Sequence, residues 1–151
     1  MKRNILVAFL AVLLVCSCSH KKLASNSHEI LMPQKEQVWQ LVSMQGRTTN
    51  LVAATPTLCF NPEAHTASGF AYCNSYSFRY ESTPMDIQPD GDYHTLSLEP
   101  WGAGELGCPE ADLNAEQRYL SLLAKATSFR LTATTLTLFQ RNKEILYFEL
   151  Q

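Results

Sequence analysis

The sequence predicts a mainly β (α+β) fold: a small antiparallel, barrel-like sheet with one packed helix. Three observations predict it. From Val38 onward the chain divides into short segments in which apolar and polar residues alternate, the period of a strand with one buried face. A single segment, within "PEADLNAEQRYLSLLAKATSF", repeats at three and four residues instead, the period of a helix. Turn-forming clusters such as Gly46-Arg47, Pro62 to His65 and Pro89-Asp90-Gly91-Asp92 separate the alternating segments. Many antiparallel strands with one helix suggest a closed or nearly closed sheet, which removes exposed edges.

The elements follow in order. Val38 to Val42 reads as a first strand, with Trp39 and Leu41 on one face. Leu51 to Phe60 is a second, ending near Asn61-Pro62. Thr66 to Cys73 is a third, in which Gly69 allows a neighbour to approach closely. Ser75 to Tyr80 puts Tyr76, Phe78 and Tyr80 on one face, a stripe read as core rather than as a ligand platform. His94 to Glu99 is a further strand. In the helix, Asn114 and Gln117 form a capping box, with Asp112 as the competing cap. Glu110, Asp112 and Glu116 fall near its start and suit the helix dipole. Glu116, Tyr119, Leu120 and Leu123 recur at helical spacing, so Tyr119, Leu120 and Leu123 face the sheet. Three strands close the chain: Ser128 to Thr132, Thr135 to Gln140 and Glu144 to Leu150.

The amino-terminal segment carries a different signal. Lys2 and Arg3 precede an apolar run from Ile5 to Val15. A membrane-spanning helix needs about 20 apolar residues, so the run fits the apolar region of a secretory signal peptide instead. Its end, Val15-Cys16-Ser17-Cys18, resembles a bacterial lipobox, and Cys18 fits the lipidated position better than Cys16 because small Ser17 precedes it. The chain therefore divides into a signal peptide (1–17), a lipidated Cys18 with a flexible tether (18–35) and a folded domain (36–151). The alternative is an ordinary signal peptide that leaves Cys18 as a free thiol. Two or more acyl chains give stable membrane attachment where one gives marginal binding. No acidic residue follows Cys18 directly, so the expected place is the bacterial cell envelope, with the anchor in the outer membrane and the domain facing the periplasm.

The whole chain has 12 basic and 14 acidic side chains, and loss of Lys2 and Arg3 leaves a formal charge of −4. With no basic stripe, nucleic acid is not an expected partner. The folded part is one domain by size, with a single core of modest extent.

Three cysteines remain after Cys16 and Cys18. An exported compartment is oxidising, so a pair among Cys59, Cys73 and Cys108 is expected to form a disulfide rather than a metal site. Neither C-x-x-C nor H-x-x-x-H occurs, and no metal ligands or cofactor are assigned. Cys73 precedes Asn74-Ser75 and Cys108 precedes Pro109, both bends at strand ends, which favours Cys73–Cys108 and leaves Cys59 unpaired. Asn74 is read as a bend residue, able to take left-handed backbone or bond its own loop. A catalytic cysteine needs a histidine base. His65 and His94 are the candidates, and neither sits in a recognisable catalytic setting.

Taken together, "VWQLVSMQG", "TLCF", "GFAYCNSYSFRY", "EQRYLSLL", "LTL" and "EILYFEL" resemble the META domain, also called HslJ-like, over Gln37 to Gln151. Tyr72 stands where that family usually has a glycine, Phe78 replaces a second glycine, and Gly104 sits where threonine is usual. The resemblance implies a small antiparallel barrel-like fold with one helix, and an association with envelope stress and antibiotic tolerance. It implies no enzymatic activity.

The function expected is a non-enzymatic envelope lipoprotein that binds an unknown protein or small-molecule partner. The alternative is a carrier of a small apolar ligand in a barrel cavity, with Trp101, Tyr72, Tyr76 and Tyr93 as lining candidates. An enzyme would rest on the scattered groups His94, Glu99 and Glu105. A filled interior favours the first reading, and an open apolar cavity the second.

Overall fold

A computed structural model describes residues 30–49 and 54–151 of the protein. The expectations for the signal peptide, for Cys18, for the tether up to residue 29 and for the beginning of the second strand lie outside the described residues.

The described chain runs β1 (Trp39–Met44), β2 (Arg47–Thr48), β3 (Thr57–Asn61), β4 (Thr66–Ala71), β5 (Asn74–Glu81), β6 (Pro84–Gln88), β7 (Gly91–Thr95), β8 (Ser97–Ala103), α1 (Glu110–Leu123), β9 (Ser128–Leu131), β10 (Thr135–Gln140) and β11 (Lys143–Leu150). Hydrogen bonding orders the strands β6-β7-β9-β10-β11-β1-β3-β4-β5-β8, and β2 pairs with β1 off this path. The pairings are antiparallel. The sheet is not closed by hydrogen bonding, yet β7 and β8, near opposite ends of the order, are consecutive in the chain with Leu96 alone between them. One stretch of backbone thus brings the two ends of the sheet together, which gives the fold its barrel-like form.

The alternation read from sequence sets the faces. In β5, Asn74, Tyr76, Phe78 and Tyr80 are buried while Ser75, Arg79 and Glu81 are exposed. Trp39 and Leu41 of β1, Leu58 and Phe60 of β3, and Leu136 and Leu138 of β10 are buried in the same core. Phe129, Ile145, Leu146 and Phe148 belong to it as well. A Cβ built at Gly69 would overlap the carbonyl oxygen of Thr57, so β4 comes as near its neighbours as it does because this residue has no side chain.

Several boundaries differ from expectation, each for a local reason. β3 begins at Thr57, after Pro56, which has no N–H to give to a ladder. β4 ends at Ala71 because Tyr72 takes a left-handed backbone, φ 60°. Glycine adopts that conformation freely and a tyrosine does not. Tyr72 holds it at a local cost. The strand expected over His94 to Glu99 is divided at Leu96, whose side chain is buried and whose N–H bonds the carbonyl of Thr127. Its two halves pair at different ends of the sheet. The short strands β2 and β6 lack the alternation that marks the others.

The helix packs on β4 and β11. It starts at Glu110, after Pro109, with no side-chain cap, so Asn114 and Gln117 lie inside it and the expected capping box does not form. Proline decides the start: its missing N–H is no loss there, and its carbonyl accepts from Asp112 and Leu113. Glu110 and Asp112 occupy the first turn, whereas Glu116 is buried further along. Tyr119 and Leu123 are fully buried as expected. Leu122 takes the buried position expected of Leu120, which is only partly covered.

Candidate functional site

The corner at Cys73 joins the helix to the sheet. Cys73 is bonded to Cys108, 35 residues later, with Cα atoms 6.4 Å apart, and Cys59 is free. Asn74 follows and is buried. Its backbone N–H donates to Glu116 Oε2 at 2.7 Å and its Nδ2 donates to Oε1 at 3.0 Å. Its Oδ1 accepts the N–H of Leu106 at 2.7 Å. Asn74 is therefore not the left-handed bend residue expected; Tyr72 is, and Asn74 bonds groups far away in sequence rather than its own loop. Burial is the reason, since a buried amide and carboxylate each need partners. Gly104 leaves the room, because a Cβ there would sit 3.1 Å from Asn74 Oδ1. The arrangement is a clasp that fixes the loop before α1, beside the disulfide.

Tyr76 and Tyr119 meet deeper in the core. Tyr76 Oη donates to the Thr57 carbonyl at 2.7 Å and lies 2.8 Å from Tyr119 Oη. Burial pushes both phenols above their ordinary range, so they stay protonated hydrogen-bonding anchors. Tyr80 is buried edge-on against Phe60, with ring centroids 5.0 Å apart.

The chain before β1 is held against β7. Leu31 N–H donates to Asp92 Oδ2 at 2.6 Å, and the Leu31 carbonyl lies 2.9 Å from His94 Nε2. His94 stacks on Phe129 with centroids 4.6 Å apart, and burial pushes its imidazole below the ordinary value. The tether expected to run to residue 35 is thus docked from Leu31 onward. The reason is that Asp92 and His94, buried under this segment, take its backbone groups as partners.

A groove of ≈ 1020 Å³ runs along the outward side of β5 and β8. Trp101, Glu99, Arg79, Glu81, Ser82 and His65 are among its lining residues. Trp101 is 59% exposed. It falls in an irregularity of the β5–β8 ladder, where Ser77 pairs Gly102 and Phe78 pairs Pro100. A bulge of this kind re-aims a side chain. The Arg79 guanidinium sits 5.1 Å from the Trp101 ring centroid, and Glu99 lies directly across the ladder from Arg79. Ser82 Oγ is buried beside them, without a hydrogen-bond partner among the described residues.

The aromatic residues weighed as a cavity lining are not brought together. Tyr76 is core, Trp101 is in the groove, Tyr72 is at the left-handed corner, and Tyr93 stacks on Phe139. His94 lies inside the sheet, Glu99 in the groove and Glu105 on the loop before α1. Arg79 and Ser82 were not singled out by sequence reasoning. The outward alternation of "SFRYE" places Arg79 on the groove face, but the residues across from it belong to β8, and no local pattern reveals that pairing.

The fold and its clasped corner define a small antiparallel β domain with one disulfide-tethered helix. The META domain family model matches residues 32–151, and the chain belongs to that family. Two solved NMR structures are similar in fold. One covers 80% of this chain and 96% of its own at 23% identity, with a TM-score of 0.51. The other, a protein from Burkholderia xenovorans, covers 83% of this chain and 96% of its own at 19% identity, with a TM-score of 0.54. No curated protein matches the chain.

Proposed function

We propose that the protein is a non-enzymatic lipoprotein of the bacterial envelope. Acyl chains on Cys18 anchor it in the outer membrane, and its META domain binds a partner in the periplasm in support of envelope stress response or antibiotic tolerance. One observation carries the binding part of this reading: the interior is filled by Trp39, Phe60, Tyr119, Phe129 and Phe148, all buried, while the groove beside Trp101 faces outward. A partner is then met on the exterior, and a ligand carried inside the sheet is the disfavoured alternative. The absence of an enzymatic role is part of the proposal. Its support is that the tyrosines are tied into the core, that burial raises the Cys59 thiol and so lowers its nucleophilicity, and that His94 is enclosed.

The anchor is tested by metabolic labelling with a radioactive fatty acid. Wild-type chain is expected to take up label and to fractionate with the outer membrane. Cys18→Ala is expected to lose the label and to remain unprocessed or soluble. Undiminished labelling of Cys18→Ala would exclude Cys18 as the acylated residue. Native mass spectrometry of the purified chain separates the two binding modes, since a carrier would retain a small apolar molecule.

A further inference from the structure

We infer that the groove along the outward side of β5 and β8 is a saccharide-binding site, with Trp101 as its stacking platform. This deepens the exterior-binding reading above by giving the partner a chemistry.

Three features of the groove point to that chemistry. The first is an exposed indole at a bulge, backed by a guanidinium. Arg79 at 5.1 Å from the ring holds the indole through a cation–π contact and leaves much of it open. An open flat ring suits the C–H face of a sugar, which is apolar, better than a lipid tail, which needs enclosure. The second is the alternation of polar roles around the ring. Glu99 and Glu81 accept hydrogen bonds and Arg79 donates. Each sugar hydroxyl is also donor and acceptor, so neighbouring hydroxyls find a complementary set. The third is charge: two carboxylates face one guanidinium, and the imbalance disfavours phosphate and other polyanions.

Peptide binding by strand addition fits less well. The neighbouring edge is β8, and Pro100, the irregularity at Trp101 and Gly102 interrupt its ladder. Proline and bulges are the means by which edge strands resist added strands.

Isothermal titration calorimetry of the exported full chain, kept soluble in detergent, tests the site. The probes are a tetramer of N-acetylglucosamine and a tetramer of glucose, which distinguish an aminosugar chain of cell-wall type from a plain polysaccharide. Saturable heat with either one is expected, and the tighter probe names the source. Trp101→Ala is expected to weaken binding about tenfold or more, as truncation of a central aromatic anchor does. Trp101→Phe, which keeps a ring, should recover part of that loss, and Glu99→Gln should weaken binding by a smaller factor. Absence of saturable heat with both probes would overturn the site, as would equal affinity of Trp101→Ala and wild type. All three variants lie on an exposed face, so an unchanged melting temperature certifies that they are folded. Lipid labelling at Cys18 is measured separately, so the sugar site can fail while the envelope anchor stands.

Discussion

The two tryptophans of this chain occupy opposite environments: Trp39 is 0% exposed and Trp101 is 59% exposed. Both lie on β-strands. Trp39 belongs to β1, which is flanked by β11 and β3 in the middle of the strand order, and its neighbours cover it from all sides. Trp101 belongs to β8 at one end of that order, where Glu99, Pro100 and Gly102 beside it are exposed as well. The same residue type therefore acts as core in one place and as a surface platform in the other. The difference comes from position in the sheet, and the two sites should respond to substitution in opposite ways.

The largest effect is expected at the centre. Trp39→Ala should destabilise the domain by about 3–5 kcal/mol, the range for truncating a buried aromatic residue. Trp39→Phe should be milder, because it keeps a ring and removes an indole N–H that has no partner among the described residues. Denaturant melts of the three proteins check this, and an Ala variant as stable as wild type would refute the central position.

The crosslinked corner comes next. Replacing Cys73 and Cys108 by serine opens a loop closed over 35 residues. The chain-entropy account gives a loss of about 3–4 kcal/mol for a loop of that size. Non-reducing peptide mapping should show Cys73 joined to Cys108, with Cys59 in a separate peptide.

The clasp beside it ranks third. Glu116→Ala leaves the Asn74 N–H and amide without their acceptors, at about 1–3 kcal/mol for buried groups left unsatisfied. Glu116→Gln keeps one acceptor oxygen and should fall between the two. Equal stability of all three proteins would show that the Asn74 bonds contribute nothing net.

A smaller effect is expected from pH at the docked segment. Burial holds the His94 imidazole below its ordinary value, with Asp92 opposing the shift. The unfolded chain therefore binds a proton more readily than the folded one, and stability rises with pH in that window. The contribution of His94 is complete above about pH 6.5 and is lost as the pH falls from there toward the lower folded value. Asp90, held low by its hydrogen bond from Arg130, acts in a separate and more acidic window, below its ordinary value of 3.8. Melting temperatures measured from about pH 7 to pH 5 should fall for wild type and flatten for His94→Gln. Identical slopes would remove His94 from the account.

The smallest change is expected at the exposed tryptophan. Trp101→Ala should alter stability by no more than about 0.5 kcal/mol, as surface substitutions usually do. A loss comparable with that at Trp39 would show that Trp101 is packed after all and would end the contrast between the two residues.

The sequence by itself determined what depends on local period and residue chemistry. Alternation in "NSYSFRYE" located the buried face of β5, the three-and-four spacing located α1 with Tyr119 and Leu123 inward, and the bends after Cys73 and Cys108 marked the crosslink. Tertiary structure decided whatever depends on which strands become neighbours. The capping pattern at Asn114 lost instead to a local competitor, Pro109, whose carbonyl accepts from Asp112 and Leu113. The segment His94 to Glu99 was divided, because Leu96 is held by Thr127, far along the chain. Asp92 and His94 acquired a role only when Leu31 reached them, and Trp101 and Arg79 formed a groove only when β8 paired with β5. Periodicity reports which face of a strand turns inward, while hydrogen bonding between distant strands decides which residues meet on the face that turns outward.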